Sequence, residues 1–175
     1  MNFKTAVQWT CVDVRRAARH IFVNDFAGSV IVPRLARYFL YRMSGIRTQS
    51  ASILPGVFFD SSAVTIGRGV FINTGCKFFS GEGNIVLDDD VEVAMNVTFL
   101  AETHKIGSAD QRGGDLVKSS LHVGKGCWIG ANVVILPGVD IAPGCVIAAG
   151  AVVVKNCEAN GLYAGIPARR IRDLS

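Results

Sequence analysis

The sequence predicts an all-β chain, a parallel β-helix built on a six-residue repeat and preceded by a helical arm. The first observation is the stretch from Val123 to Glu158, which divides into six consecutive hexads: VGKGCW, IGANVV, ILPGVD, IAPGCV, IAAGAV and VVKNCE. Each opens on Val or Ile, and each fifth position is small or apolar: Cys127, Val133, Val139, Cys145, Ala151 and Cys157. Neither an α-helix nor a flat alternating strand has that period. A period of six means a short strand, a corner and another short strand, each turning one aliphatic side chain into a shared interior. The second observation is that apolar residues before residue 47 recur at helical spacing, outside the hexad register.

The arm comes first. Asn2 to about Phe26 reads as a helix whose apolar positions are Val7, Cys11, Val14, Ala18, Ile21 and Phe22, three or four apart. Pro33 opens a second helix, Arg34 to Met43, with Leu35, Phe39 and Leu40 on one side and Arg37 and Arg42 elsewhere. Gly45 stops it. The repeat then begins. Ile53 and Phe59 are six apart, Ile66, Ile72 and Phe78 follow after a one-residue insertion, and Leu87, Val93 and Phe99 follow after the irregular stretch Ser80 to Asn84. Such a repeat tolerates extra residues where they bulge outward, so Ser80 to Asn84 is expected on the surface. Residues 105–121, containing KIGSADQRGGDL, are polar, Gly-rich and aperiodic, and a loop of this length in a compact domain is usually functional or disordered. The resulting division is a basic helical arm, 1–47, and a β-helix domain, 48–175, interrupted by loop 105–121.

At 175 residues the chain is long enough to bury one core. Half of it is apolar, but no apolar run approaches the ~20 residues needed to cross a bilayer, and charge interrupts Met1 to Ala18 too often for a cleavable signal peptide. A cytoplasmic protein is expected. The five cysteines show no CxxC spacing, and four fall at fifth positions of hexads, where they read as reduced core thiols. Residues 1–50 hold eight Lys/Arg against two acids, a charge of +6 within a net charge of +4. Such an arm is either a solvated helix face or a contact for anionic lipid or polyanionic glycan; no nucleic-acid partner is expected.

The hexads resemble those of the hexapeptide-repeat acyltransferases, in particular the branch of galactoside, maltose, nodulation-factor and streptogramin O-acetyltransferases. The segment Tyr163-Ala164-Gly165-Ile166-Pro167-Ala168-Arg169 matches that family's closing motif. The resemblance implies a left-handed coil of three hexads per turn, a homotrimer, and acetyl-CoA bound between neighbouring chains. It implies an acetyl-CoA-dependent O-acetyltransferase acting on a saccharide. The basic arm replaces the acceptor-binding segment of the galactoside and maltose enzymes and resembles those of exopolysaccharide, capsule or lipopolysaccharide O-acetyltransferases, so the acceptor implied is a surface-polysaccharide precursor, lipid-linked glycan included.

The same resemblance assigns residues. His104, one residue before the long loop, corresponds to the family's general base. A sugar hydroxyl is a poor nucleophile, and an imidazole with a pKa near ~6.5 can take its proton at neutral pH. Asn73 matches the Asn that contacts the acceptor hydroxyl and the developing oxyanion, while Asn96 is read as a turn residue. Asp60 and Glu82 are further acceptor candidates. On the donor side Trp128 lines the acyl and pantetheine end, Gly130, Ala131 and Ala149 leave room along the pantetheine arm, and Lys155, Arg169 and Arg172 face the CoA phosphates. No metal is required. Two other readings of the repeat are a zinc enzyme like the gamma-class carbonic anhydrases, which needs three converging histidines where the chain has His20, His104 and His122, and a non-catalytic scaffold.

Overall fold

The computed structural model describes residues 3–174, and within them three parallel sheets wrap one apolar core. The first sheet stacks Arg47–Thr48, Val64–Ile66, Asn84–Leu87, Ser120–Val123 and Asp140–Ile141. The second stacks Phe71–Ile72, Glu92–Val93, Trp128–Ile129, Val146–Ile147 and Gly161–Ala164, with Arg169–Asp173 added antiparallel at its end. The third stacks Phe58–Phe59, Lys77–Phe79, Thr98–Leu100, Val134–Ile135 and Val152–Val153. From Val64 to Val153 the chain visits the sheets in the same rotation, and Val123 pairs with Ile141, three hexads on. That is a three-sided coil.

The register explains the hexads. Ile66, Leu87, Val123 and Ile141 lie in one column, Ile72, Val93, Ile129 and Ile147 in a second, and Phe59, Phe78, Phe99, Ile135 and Val153 in a third, every one of them buried. The third column begins as an aromatic stack: Tyr41 meets Phe59 edge-on, Phe59 lies 5.0 Å from Phe78 and Phe78 lies 4.6 Å from Phe99. Fifth positions turn inward at the corners, where the thiols of Cys76, Cys127 and Cys145 donate to carbonyl oxygens of Ala94, Ala142 and Glu158. Burial pushes the thiols of Cys76 up to about 11 and of Cys127 and Cys157 to about 12, so they are packing groups and not nucleophiles. Between the second and third sheets the corner needs a left-handed residue in each turn. Gly75, Asn96, Asn132 and Gly150 supply it, with Asn96 at φ 59°, the turn role expected of it.

The arm departs from expectation in three ways. Helix α1 (Phe3–His20) passes into a π-helical stretch, Ile21–Ala27, instead of running on as one α-helix. Only Val23 and Ala27 of this stretch are buried; Val14, Ile21 and Phe22 are exposed, and the side chains of Val7 and Cys11 lie outside the described residues. The widened turn aims Asn24 at the edge strand of the third sheet, where its carboxamide donates to Phe59 O and accepts from Phe59 N–H. In α2 (Arg34–Met43) only Leu40 of the expected apolar side packs against the core, while Leu35 and Phe39 face outward.

Arg37 is the third departure. Placed by the sequence among solvated charges, it is 3% exposed, and its guanidinium donates to four backbone carbonyls: Ala27, Ile53, Ser29 and Val32. It ties both helical segments to the first turn of the coil and satisfies carbonyls that would otherwise be buried without partners. Gly45, at φ +90°, ends α2 as expected, with Ile46 N–H reaching back to Tyr41 O.

The stretch 105–121 is not an aperiodic loop. Glu102–Ile106 and Gly113–Lys118 form an antiparallel hairpin that projects from the corner between the third and first sheets. Because both faces of the hairpin are largely open, its sequence shows no alternation of apolar and polar residues. The irregular stretch Ser80 to Asn84 lies one turn earlier on the same corner, and it is only partly a surface bulge. Glu82 and Asn84 are exposed, whereas Ser80 and Gly83 are buried.

Candidate active site

The corner between the third and first sheets gathers most of the groups that could act on an acceptor. A cleft of about 440 Å³ opens there, between α1 and the first turns of the coil, lined among others by Arg16, Arg19, Asp60, Gly81, Glu82 and Glu102. Asp60 and Glu82, the two further acceptor candidates, both line this cleft, but in different states. Both oxygens of Asp60 are occupied: Oδ1 accepts from the N–H and hydroxyl of Ser80, and Oδ2 accepts from Gly81 N–H. Asp60 therefore shapes the wall of the cleft more than it offers a free carboxylate. Glu82 pairs with Lys118 across the root of the hairpin, and the hydrogen bond from Lys118 holds its carboxyl below the usual carboxylate range.

Lys118 stands opposite Glu102 in the hairpin ladder, and Leu116 opposite His104. Residues two apart on a strand share a face, so His104 and the cleft-lining Glu102 stand on the same side of the hairpin. The imidazole is exposed, and its Nδ1 lies 2.7 Å from Gly114 O. A carbonyl oxygen can only accept, so Nδ1 carries the proton and donates it, and in the neutral ring Nε2 keeps its lone pair. This arrangement can take a proton from a hydroxyl.

Asn73 lies elsewhere. It follows Phe71–Ile72 at the corner between the second and third sheets, with its side-chain oxygen accepting from Thr74 N–H at 2.8 Å. Trp128 belongs to the second sheet and faces outward, 56% exposed, in register between Glu92 and Val146. Within one chain the His104 corner and the corner that bears Asn73 are the two ends of the third sheet's strands.

The expected donor groups divide as well. Gly130 and the half-buried Ala131 start the corner after Trp128, and Ala149 lies on the same corner one turn on, where a Cβ on Gly130 would meet the Ala149 nitrogen at 2.6 Å. Gly130 is therefore required by packing between turns. Lys155 and Arg169 line a second cleft, about 250 Å³, together with Tyr163 and Arg170; Arg172 does not line it and stands exposed opposite Leu162. Arg170, which the sequence did not single out, braces this end by donating to Glu158 O, Ala159 O, the Tyr163 hydroxyl and Asp173.

Sequence reasoning also missed Arg19, Glu102 and Lys118. Glu102 was legible in principle, because a strand running to His104 puts it on the same face. Arg19 was not: it reaches Phe59 O and Asp60 O through Nη1 only because the arm folds back over the coil. The three histidines do not converge. His20 contacts Asp25, His104 contacts Gly114, and His122 lies between Asp88 and Asp140.

Residues 120–155 match the bacterial transferase hexapeptide family (six repeats). Galactoside O-acetyltransferase of Escherichia coli strain K12 is 32% identical over 128 residues, which is 73% of this chain and 63% of that protein. The chain thus spans less than two thirds of that curated relative. Among solved structures, a maltose O-acetyltransferase from Clostridium difficile 630 superposes with a TM-score of 0.81 at 27% identity, covering 91% of this chain and 86% of the other. A hexapeptide-repeat acetyltransferase from Vibrio cholerae O1 biovar eltor, complexed with acetyl coenzyme A, superposes at 0.78 with 25% identity over 94% of this chain and 89% of its own.

Proposed function

Because the chain belongs to the hexapeptide-repeat family of bacterial transferases, we propose that it is an acetyl-CoA-dependent O-acetyltransferase acting on a saccharide hydroxyl. The observation that carries this reading is His104: its Nδ1 is fixed by Gly114 O, and its Nε2 is left as an acceptor on the side of the hairpin that bears Glu102, one wall of the cleft of about 440 Å³. The relatives named for galactoside and maltose acetylation, and the neighbour complexed with acetyl coenzyme A, support the donor and the acceptor class.

Acetyl-CoA supplies the acyl group as an activated thioester. His104 Nε2 takes the hydroxyl proton as the acceptor oxygen attacks, and returns it to the departing thiol sulfur, so the imidazole ends neutral. Asn73 has its side-chain oxygen engaged by Thr74, which leaves its NH₂ to donate to the oxyanion. Trp128 flanks the pantetheine arm beside Gly130, Ala131 and Ala149. Lys155 and Arg169, which share one cleft, take the phosphates, with Arg172 outside it.

His104 and Asn73 stand at opposite ends of one face of a single chain, so one reaction centre needs His104 from one copy and Asn73 with Trp128 from another. A homotrimer of left-handed coils, the family arrangement, meets that need. The outward side of the third sheet suits the contact, being mostly apolar, with Phe58, Phe79, Leu100, Val134 and Val152 beside Lys77 and Thr98, whereas the first sheet presents Arg47, Thr65, Val86, His122 and Asp140. We read 1–47 as the arm and 48–175 as the catalytic domain, place the protein in the cytoplasm, and take a surface-polysaccharide precursor as the acceptor.

The test is acetyl transfer from acetyl-CoA to a panel of neutral and anionic oligosaccharides, read by mass spectrometry, with light scattering on the same sample. Acetylated product from a trimer is expected. Thioester hydrolysis without any acetylated saccharide, or full activity from a monomer, would overturn the reading.

A further inference from the structure

Helix α2 is seated on the body by one face and carries an uncovered apolar stripe on the other. Arg37 and Tyr41, one turn apart, point inward and are buried. Leu35, Phe39 and Met43 recur at the same four-residue interval on the outer side and are 63%, 55% and 77% exposed. Val30 and Ile31, in the turn before the helix, are more exposed still. Residues four apart on a helix lie over one another, so Leu35, Phe39 and Met43 form one continuous ridge. The four carbonyl bonds of Arg37 fix its rotation, and the ridge cannot turn into the core without breaking them.

The charge around the ridge selects its partner. From residue 26 to residue 59 the chain contains no Asp or Glu, and in the same span it carries Arg34, Arg42 and Arg47 with exposed side chains. Arg42 stays beside the ridge, held by the Tyr38 hydroxyl and Thr48 O. An apolar stripe whose own segment carries exposed cations and no acid matches a surface that is apolar below and anionic above. No helix among the described residues is long and apolar enough to cross a membrane. Such a helix lies in the interface plane with its apolar side chains among the acyl chains and its cations at the headgroups.

We propose that the outer face of α2 docks the protein on an anionic bilayer. Leu35, Phe39 and Met43 insert, Arg34, Arg42 and Arg47 meet the headgroups, and Arg37 is the rigid mount that keeps the ridge outward. The proposal does not depend on the acetyltransferase reading. It has an experiment of its own.

Full-length protein is sedimented with vesicles of phosphatidylcholine, with and without phosphatidylglycerol, at low and high salt. Binding is expected to the anionic vesicles and is expected to fall with salt, as screening shortens the reach of the arginines. Replacing Leu35, Phe39 and Met43 together by Ser lowers vesicle affinity roughly tenfold or more while leaving the unfolding midpoint in place, because these side chains are already in water. Arg34→Gln and Arg47→Gln each lower it about fivefold, the equivalent of ~1 kcal/mol per basic residue near an anionic surface. Absence of wild-type binding at low salt, or a triple Ser variant that binds like wild type, would overturn the proposal. So would a wild type that ignores vesicles but loses an oligomeric contact when the ridge is replaced, since the ridge would then be covered by a second copy.

Discussion

His104 and Gly114 face each other across the hairpin, with Nδ1 of the one 2.7 Å from the carbonyl oxygen of the other. That contact fixes the tautomer, so the nitrogen left to accept a proton is Nε2. His104→Ala is expected to lower kcat by ~10²- to 10⁴-fold while leaving CoA affinity nearly unchanged, because the base acts on the acceptor. His104→Asn keeps a donor near Gly114 but lacks the second nitrogen, and should be as slow as Ala. Wild-type turnover in either variant removes His104 from the chemistry.

The cleft proposed for the donor gives a separate expectation. Lys155 and Arg169 share a cavity that Arg172 does not line. Neutralising either of the first two should raise KM for acetyl-CoA more than KM for the acceptor, and Arg172→Gln should do so least. Steady-state kinetics with acetyl-CoA and its 3′-dephospho form provide the check. Equal KM values for the two donors in the wild type would argue against a 3′-phosphate contact.

Arg37→Met removes a buried guanidinium and leaves the carbonyls of Ala27, Ile53 and Val32 without it, while Ser29 O still accepts from Val32 N–H. Each buried acceptor left without a partner costs ~1–3 kcal/mol, so the variant is expected to lose at least about 3 kcal/mol, roughly 6–12 °C in Tm for a chain of this size. Arg34→Gln, at an exposed position on the same helix, is the control and should stay within about 0.5 kcal/mol. A thermal melt in which the two variants coincide would show that the carbonyl cluster finds other partners.

The triad of His122 with Asp88 and Asp140 sets a pH dependence. Burial alone would lower the His122 pKa, but hydrogen bonds to Asp140 at 2.7 Å and Asp88 at 3.0 Å, with their charges, outweigh it and raise the value. A raised folded pKa contributes stability that is fully present below the unfolded value, ~6.5, and is lost as pH rises through the folded value. Because the side chain is 40% exposed, solvent screens the pair and the effect is modest. The difference in Tm between wild type and His122→Asn should shrink from mildly acidic to mildly alkaline pH. A difference that is constant across that range would mean His122 contributes only by packing.

The coil was legible because its interior is read once every six residues, and each opening position from Val123 to Val153 is a buried column member. The hairpin was not, because a two-stranded ribbon open on both faces leaves no hydrophobic period. Arg37 and Arg34 look alike in sequence, and only the fold decides that one meets four carbonyls and the other meets solvent. Of the candidate site, His104 was marked by its place beside a break in the repeat. The occupation of Asp60 by the Ser80–Gly81 turn depends on contacts between successive turns of the coil, which no local pattern encodes.

The stack of Tyr41, Phe59, Phe78 and Phe99 gives the coil a seed and a growing end. Each ring is about twenty residues from the next, a loop whose closure cost rises only slowly with length, and each closure buries an aromatic face. Beyond Phe99 the column continues as Ile135 and Val153, which offer less area per closure. Order would therefore spread from the arm toward the last turn, in the manner of a zipper whose first teeth are the largest. The hairpin between Phe99 and Ile135 is the widest gap the growing front must cross, so the segment that carries His104 is also where folding would pause.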